Sequence, residues 1–576
     1  MKHLNIFSIF LLLSITSPIL FAETAEVIPL SSPVYQDMDS LYRLYGIGTP
    51  SAVRPWTKAE ALLILERINP QTLEPDILSL YTALYETVHS PLRFGFGDGV
   101  QLDARLALNL EMYSHSNTED FVNEDDWVKR LINRAPLAQI DLSAVLGSWF
   151  YVTSDIQYSW NFNTEEKDRF TYPDNIGALI PPGKPEYKMR IYADAYASGF
   201  TLNIPPHSYD MECEFPKRAF VAVGTKHMTL SVGRDRLQWG NGQSGNFLID
   251  SNRDFDNYLR FSLFYDKFRY DLLTTIYDKY DYDGSGIEKS RYFMLHRLEF
   301  RILPKLVFSI SENIIYQDQF FNIRYLNPAF IYHNWDEKAL FNAIAHIEAD
   351  FAFAPRWNAY VQWVLDQARA PNENDSEAGS WGILGGVEYT RPLNVGKPAF
   401  FTMAVEGVYT SPELYRRDRV DFMVLNRRIS FNTGDSYSFE YIGYPYGGDA
   451  LVAQFDAHLS VPNNWEIGFR LFGMLHGAMN PFMSHNEAGN NAERANIMSY
   501  TPSGSGDTVE RTFIASLFGT YAVPQFFPWV SFTVFAELDI ISKTNKRMYQ
   551  DSAPYIQYKP GTSADVQFSL GMRATL

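Results

Sequence analysis

The sequence predicts an all-β transmembrane protein, an antiparallel β-barrel of about 16–18 strands with a small N-terminal α-helical periplasmic segment. Three observations predict it. The chain begins with an export signal, apolar and polar residues alternate from about residue 93 onward, and no later apolar run reaches the ~20 residues that a membrane helix needs. We therefore divide the chain into a signal peptide (1–22), a periplasmic helical segment (23–92) and an outer-membrane β-barrel (93–576).

The N-terminus has the form of a secretory signal peptide. Lys2 and His3 precede an apolar run from Ile6 to Leu13, and small residues near Ala22 provide a cleavage site. No cysteine lies near this point, so the signal is not of the lipoprotein type. We expect cleavage after Ala22 and localisation of the mature chain in the cell outer membrane.

Composition excludes several classes of protein. The net charge of −18 argues against a nucleic-acid partner, because phosphate binding needs a basic surface. The mean hydropathy of −0.21 excludes a helical membrane protein, whereas a barrel hides its apolar surface in alternating strands. Cys213 is the single cysteine, so the chain cannot form an internal disulfide or a cysteine metal site. We predict no cofactor and no metal.

Residues 23–92 carry helical patterns. Apolar residues at helical spacing follow Ser32-Pro33 and stop at Gly46. The stretch from Thr57 to Glu60 fits a capping box, in which a hydroxyl and a carboxylate each reach an unpaired backbone N–H. A third helix carries the apolar positions between Ile77 and Leu84. Three short helices cannot bury much surface alone, so we expect them to pack on the rest of the protein.

The last stretch, Asp565 to Leu576, shows the strand pattern most clearly, since every second residue is apolar. The same pattern recurs from Val100 to Met112 and in many later stretches, and its polar face carries Asp, Glu, Arg, His and Gln in mid-strand. A wall between lipid and a charged lumen requires such faces, which favours a barrel over a secreted β-sandwich or propeller. We expect the last strand to pair with the first and to be read by the barrel-assembly machinery.

The connections predict two different ends of the barrel. Pro355-Arg356 and Asn463-Asn464 fit tight periplasmic turns. Long polar connections, predicted as outer loops or segments that fold back into the lumen, run over residues 114–126, 161–188, 205–217, 367–380 and 477–510.

The segment from Val232 to Gly242 is the most distinctive candidate for binding. Arg234 and Arg236 would share one strand face with Gln238, where two guanidinium groups suit carboxylate ligands. The alternative is that they pair with carboxylates of the barrel's own lumen. We predict five glycan-binding candidates, in which aromatic rings or guanidinium groups would face a sugar, and the aromatic ones could equally be interfacial girdle residues. They are Arg234, Arg236, Trp239, Tyr280 and Tyr282.

The same segment resembles the Wzi family of capsule-assembly outer-membrane proteins. The similar residues run from Gly233-Arg234 through Trp239-Gly240 to Leu248 and Ser251. Further similar pieces occur in the family's order: Ser32 to Tyr35, Arg54 to Glu60, His296 to Glu299, Ser311-Glu312, Tyr325 to Pro328, Tyr409 to Pro412, Ile442 to Pro445 and Gly447 to Ala450. The resemblance implies a large barrel with a helical bundle at its periplasmic end, and a lectin-like role in holding capsular or exported polysaccharide at the cell surface.

Two other functions stay open beside this one. A porin or transport channel would suit a charged lumen lined by Asp103, Arg105, Glu348 and Asp350. An outer-membrane hydrolase is the third, but no G-x-S-x-G or H-E-x-x-H motif is present, and we predict no catalytic residues. The stretch from Asp278 to Gly284 is similar to a calcium loop but places Lys279 and Ser290 where carboxylates belong. We expect a monomer whose partners are polysaccharide and outer-membrane lipid.

Overall fold

The computed structural model describes residues 25–96, 99–121, 126–130, 133–160, 199–205, 211–212, 215–279, 289–317, 323–327, 331–332, 341–367, 379–416, 420–430, 434–479, 500–549 and 556–576. The predicted signal peptide lies outside these residues. None of the helices within them is long and apolar enough to cross a membrane.

The described part of the chain contains three α-helices followed by long strands. The helices are α1 (Val34–Tyr45), α2 (Lys58–Glu66) and α3 (Pro75–His89). The first nine wall strands are β1 (Val100–His115), β2 (Ala138–Leu146), β3 (Phe150–Tyr158), β4 (Ala219–Thr225), β5 (Met228–Asp235), β6 (Asp256–Phe264), β7 (Phe268–Lys279), β8 (Lys289–Leu303) and β9 (Leu306–Gln317). The other nine are β10 (Phe341–Ala354), β11 (Trp357–Gln367), β12 (Ser380–Asn394), β13 (Pro398–Thr410), β14 (Ala450–Val461), β15 (Trp465–His476), β16 (Glu510–Phe527), β17 (Val530–Tyr549) and β18 (Ile556–Thr575).

These strands form a closed antiparallel barrel of 18 strands. Each wall strand pairs with its neighbour in the chain, and β18 pairs with β1 from Gln567 opposite His115 to Thr575 opposite Ala107. The prediction that the last strand meets the first is confirmed. The predicted fold class and strand number are confirmed as well.

Alternation along the strands places apolar side chains outside and polar ones inside. In β1, Leu108 and Leu110 are exposed, whereas Asn109 and Glu111, which alternate with them, are buried. Glu348 and Asp350 of β10 are likewise buried on the inner side. This arrangement keeps charged groups away from lipid and lines the lumen with them.

One patch on the outer side of the wall departs from this rule. His296 of β8 and Glu312 of β9 alternate with inward-facing Arg297 and Ser311, and their side chains meet at 3.5 Å. Tyr332 covers the pair, since its ring stacks on the His296 ring and its backbone N–H donates to Glu312. A segment between β9 and β10 therefore shields two ionisable groups that lipid would otherwise contact.

Tight turns mark one end of the barrel, as the sequence predicted. The turn at Pro355-Arg356 joins β10 to β11 with Arg356 at φ 69°, and Asn463 joins β14 to β15 at φ 57°. In outer-membrane barrels the short turns lie on the periplasmic side and the long connections outside.

The helices pack against the short-turn end. The backbone N–H of Gly48 donates to Pro304 in the turn between β8 and β9, and that of Arg356 donates to Arg43 of α1. Side chains of α1, α2 and α3 form one apolar cluster that also contains Phe400 of β13. The expectation that these helices pack on the rest of the protein is confirmed.

The predicted capping box forms only in part. The Thr57 hydroxyl accepts from the backbone N–H of Glu60, as expected. The Glu60 carboxylate instead forms a buried ion pair with Arg269 of β7. An unpaired buried guanidinium costs more than an uncapped N–H, so the barrel recruits the carboxylate and thereby ties α2 to the wall.

One half-buried carboxyl of α1 lies near a carboxylate of the wall. Burial, followed by the nearby Glu466 carboxylate, raises the pKa of Asp37 in α1 to about 7. A carboxyl whose pKa is higher in the folded state loses stability as pH rises, between its unfolded and folded values. We therefore expect Asp37→Asn to match the parent protein below about pH 4 and to be increasingly more stable toward pH 8.

Denaturant midpoints across this pH range measure the difference between Asp37→Asn and the parent. Glu86→Gln changes an exposed helical carboxylate of the same segment and should leave the pH dependence unchanged. A midpoint difference that is independent of pH would refute the role of Asp37.

Candidate functional site

The connection between β5 and β6 enters the lumen. We call residues 236–255 the crossing segment. Its residues Gln238 and Trp239 form a two-residue strand with Val53 and Arg54, which link α1 to α2. The backbone N–H of Gly240 donates to Ala52 at 3.0 Å. The N-terminal region thus enters the barrel and forms backbone hydrogen bonds with the crossing segment there.

Glycines allow the crossing segment to turn sharply beside its neighbours. Gly240 has φ 133°, and a Cβ there would lie 2.1 Å from Oδ1 of Asn246. Gly245 has φ 141°, and a Cβ there would lie 2.3 Å from the Pro445 ring. Both positions combine a backbone conformation that favours glycine with no room for a side chain.

The tip of the crossing segment is bound by Glu406 of β13. Its carboxylate accepts hydrogen bonds from the backbone N–H groups of Gln243 (2.7 Å) and Ser244 (2.8 Å) and from the hydroxyl of Tyr360 (2.7 Å). The Ser244 hydroxyl also donates to it. The segment leaves from β5 and is held on β13, eight strands away in a wall of 18, so it reaches nearly the opposite side of the lumen.

The returning limb packs against a second inward segment, formed by the described residues of 411–449. The Tyr415 hydroxyl donates to the carbonyl oxygen of Phe247 at 2.8 Å, and the backbone N–H of Asp250 donates to Ile442 at 3.1 Å. Arg253, which is 1% exposed, donates to the carbonyl oxygens of Tyr441 and Ile442 and forms a forked pair with Asp256. A contiguous apolar cluster fills the space between both segments and the wall.

The outer part of the lumen near β1 brings cations against aromatic rings. The guanidinium of Arg134 lies 3.9 Å from the ring centroid of Tyr113 and 5.1 Å from that of Trp127. Lys543 and Lys546 of β17 both pair with Asp126. The sequence offered no local signal for this cluster, because its members come from the first outer connection and from the last strands.

The structure separates the predicted binding residues. β5 ends at Asp235, so Arg234 and Arg236 do not share a strand face with Gln238. Arg234 donates to Asn257 at 2.8 Å and lies 3.9 Å over the Phe255 ring.

Of the other four glycan-binding candidates, the structure describes Trp239 and Arg236. Trp239 has no exposed surface and packs in the lumen cluster, with the Arg260 guanidinium 5.6 Å from its ring. Arg236 is half-buried just beyond the end of β5. Tyr280, Tyr282 and the acidic stretch at 281–284 lie outside the described residues. Within those residues, no group of three or more His, Cys, Asp or Glu side chains could hold a metal ion.

Barrel closure, the apolar outer wall and the charged interior define an outer-membrane β-barrel protein, and known structures agree. The fold is similar to that of Wzi, described as an outer-membrane protein involved in group 1 capsule assembly in Escherichia coli and a carbohydrate-binding β-barrel. The TM-score is 0.54 at 13% identity, over 95% of this chain and 99% of that one. At this identity the likeness concerns the fold alone.

Channel proteins give lower scores. OccD3 (OpdP) of Pseudomonas aeruginosa matches with a TM-score of 0.40 at 10% identity, over 85% of this chain and 96% of that one. The outer-membrane channel DcaP of Acinetobacter baumannii matches with a TM-score of 0.32 at 9% identity, over 84% and 100%. The sequence matches no protein-family model and no curated protein.

Proposed function

We propose that this barrel binds capsular or exported polysaccharide, anchors or assembles it at the cell surface in the manner of the Wzi family, and catalyses no reaction. The observation that carries the proposal is the crossing segment, held across the lumen by Glu406. A segment fixed in this way suits a protein that holds a polymer at its outer mouth better than one that passes solutes through. The similar fold of a barrel described as carbohydrate-binding supports the same function.

We expect a sugar polymer to bind through aromatic rings and guanidinium groups at the outer mouth. Aromatic faces pack against the apolar faces of sugar rings, and guanidinium groups bind carboxylates. The predicted contacts at Arg234, Arg236, Tyr280 and Tyr282 belong to this proposal, while Trp239 would support the site from within the core. The protein would act as a monomer, inserted by the barrel-assembly machinery through its last strand.

A strain that lacks this chain tests the proposal. We expect polysaccharide synthesis to continue while the polymer appears in the medium instead of on the cells. Unchanged surface retention would refute the proposal. Binding of the refolded barrel to a glycan array measures the interaction directly, with heat-unfolded protein as the control.

Single-channel recording separates this function from a transport channel. The refolded protein in a planar bilayer should conduct poorly if the crossing segment blocks solute passage. Steady conductance in the parent protein would favour a porin.

A further inference from the structure

The middle of β17 carries two acidic residues on its lumen side. Glu537 and Asp539 alternate with Leu538 and Ile540, which are exposed on the outer side of the wall. Asp539 is 1% exposed, and neither of its carboxylate oxygens has a hydrogen-bond partner within the part of the chain that the structure describes. A carboxylate in this position needs a compensating charge, because burial removes its favourable interaction with water.

A hydroxyl group faces the same point from the neighbouring strand. Ser516 of β16 lies directly opposite Asp539 in the strand register and is 2% exposed. Its Oγ atom is buried and has no hydrogen-bond partner among the described residues. Directly opposed side chains of antiparallel strands have Cβ atoms about 4.5–5.5 Å apart, so this hydroxyl and the Asp539 carboxylate can reach one ligand.

Residues 126–130, from the first outer connection, cover this part of the wall. Gln567 of β18 lies opposite Asp539 on its other side. The Gln567 amide accepts from the backbone N–H of Val128 at 3.0 Å and donates to the carbonyl oxygen of Asp126 at 2.9 Å. Both polar ends of this amide are therefore bound to the covering segment rather than to the Asp539 carboxylate.

The cations close to the two carboxylates of β17 have partners elsewhere. Arg470 contacts Asp456 at 2.7 Å, and Lys129 lies 3.7 Å from Glu111. Within the described residues, neither carboxylate of β17 forms an ion pair of its own. Two negative charges therefore lie side by side on the lumen face of β17, and the nearby cations are already shared with other acidic groups.

We propose that Glu537, Asp539 and Ser516 bind one calcium ion between β16 and β17. Carboxylate and hydroxyl oxygens are the ligands that hard divalent cations prefer. Calcium fits better than magnesium, because it accepts irregular sets of oxygen ligands at about 2.3–2.6 Å, whereas magnesium demands near-octahedral geometry. The ion neutralises both charges and allows residues 126–130 to pack over them.

A calcium ion here departs from the sequence-based expectation of no metal, since no local motif joins Ser516 to the acidic residues of β17. The set contains only two acidic side chains, and water completes the coordination, as is common for calcium. The site lies within the wall of the lumen and is independent of polysaccharide binding.

Equilibrium dialysis of the refolded barrel against radioactive calcium tests the site. We expect the parent protein to bind one calcium ion more per barrel than Asp539→Asn, which keeps the volume of the side chain but loses a charged ligand. Glu537→Gln should weaken binding at least about tenfold, because calcium affinity depends on the number of charged ligands. Ser516→Ala removes a neutral ligand and should weaken binding less than Glu537→Gln.

Unfolding in denaturant supplies an independent readout. Calcium should raise the denaturant midpoint of the parent but not that of Asp539→Asn. When EDTA replaces calcium, Asp539→Asn should be more stable than the parent, because it no longer buries an uncompensated charge. Heat-modifiability on gels verifies that every variant is folded.

A matched control changes another lumen carboxylate. Asp141 of β2 accepts from the Gln139 amide at 2.7 Å, and Asp141→Asn should bind calcium as the parent does. Equal calcium binding by the parent and Asp539→Asn would overturn the proposal, as would a parent midpoint that calcium leaves unchanged or an equal loss of calcium in Asp141→Asn.

Discussion

Replacing Glu406 with alanine should release the tip of the crossing segment and raise the conductance of the barrel. Glu406 is 2% exposed and accepts from Gln243, Ser244 and Tyr360. Without the carboxylate, the buried Tyr360 hydroxyl and the partly buried N–H groups of Gln243 and Ser244 lose their acceptor, and each unsatisfied buried group costs about 1–3 kcal/mol. We expect a loss of at least about 3 kcal/mol in the free energy that holds the tip in place.

Single-channel recording of Glu406→Ala in a planar bilayer measures the release. Asp456→Ala is the matched control, because it removes a buried lumen carboxylate of the adjacent strand that contacts Arg470 and Gln454 rather than the crossing segment. The control should lose stability without gaining conductance. A folded Glu406→Ala barrel with the conductance of the parent would show that the crossing segment does not limit passage.

The wall could be predicted from sequence because the bilayer imposes a period of two on every strand. In the run Leu108-Asn109-Leu110-Glu111, the polar residues identify the lumen face, because a carboxylate on the other face would contact lipid. The last strand could be expected to pair with the first, because a barrel must close its wall. The tight turns at Pro355-Arg356 and Asn463-Asn464 could be predicted because proline and asparagine favour turns.

The interior could not be predicted in the same way. The residues from Arg234 to Gln238 alternate as if they were one strand, but Gln238 pairs with Arg54 from a distant part of the chain. Glu60 has the spacing of a capping residue, yet Arg269 recruits it. Such contacts join segments that are distant in the chain, so a local sequence pattern cannot predict them.

Glu406 shows what a sequence signal can and cannot supply. It alternates with the exposed Val405, which is consistent with a lumen carboxylate, and it is buried. The backbone N–H groups that it binds belong to glycine-rich sequence that carries no complementary charge. Charge patterns could therefore locate Glu406 in the lumen but could not identify its ligand.

The second large effect is expected at Arg253, which joins the crossing segment to residues 411–449. Its guanidinium contacts Asp256 at 2.8 Å and donates to Tyr441 and Ile442, and Tyr277 donates to the same carboxylate. Arg253→Ala leaves the Asp256 charge buried without its counterion. Breaking one side of a buried ion pair costs about 3–5 kcal/mol, so the denaturant midpoint should fall sharply.

A double variant separates the charge from the packing. Arg253→Met/Asp256→Asn removes both charges, keeps the volume and leaves an acceptor for Tyr277, so it should recover much of the stability lost in Arg253→Ala. Arg391→Ala, at an exposed arginine of β12, should change stability by no more than about 0.5 kcal/mol. If Arg253→Ala unfolds at the same denaturant concentration as Arg391→Ala, the pair does not hold the crossing segment. If the double variant is no more stable than Arg253→Ala, the loss arises from the carbonyl contacts to Tyr441 and Ile442 rather than from an uncompensated charge.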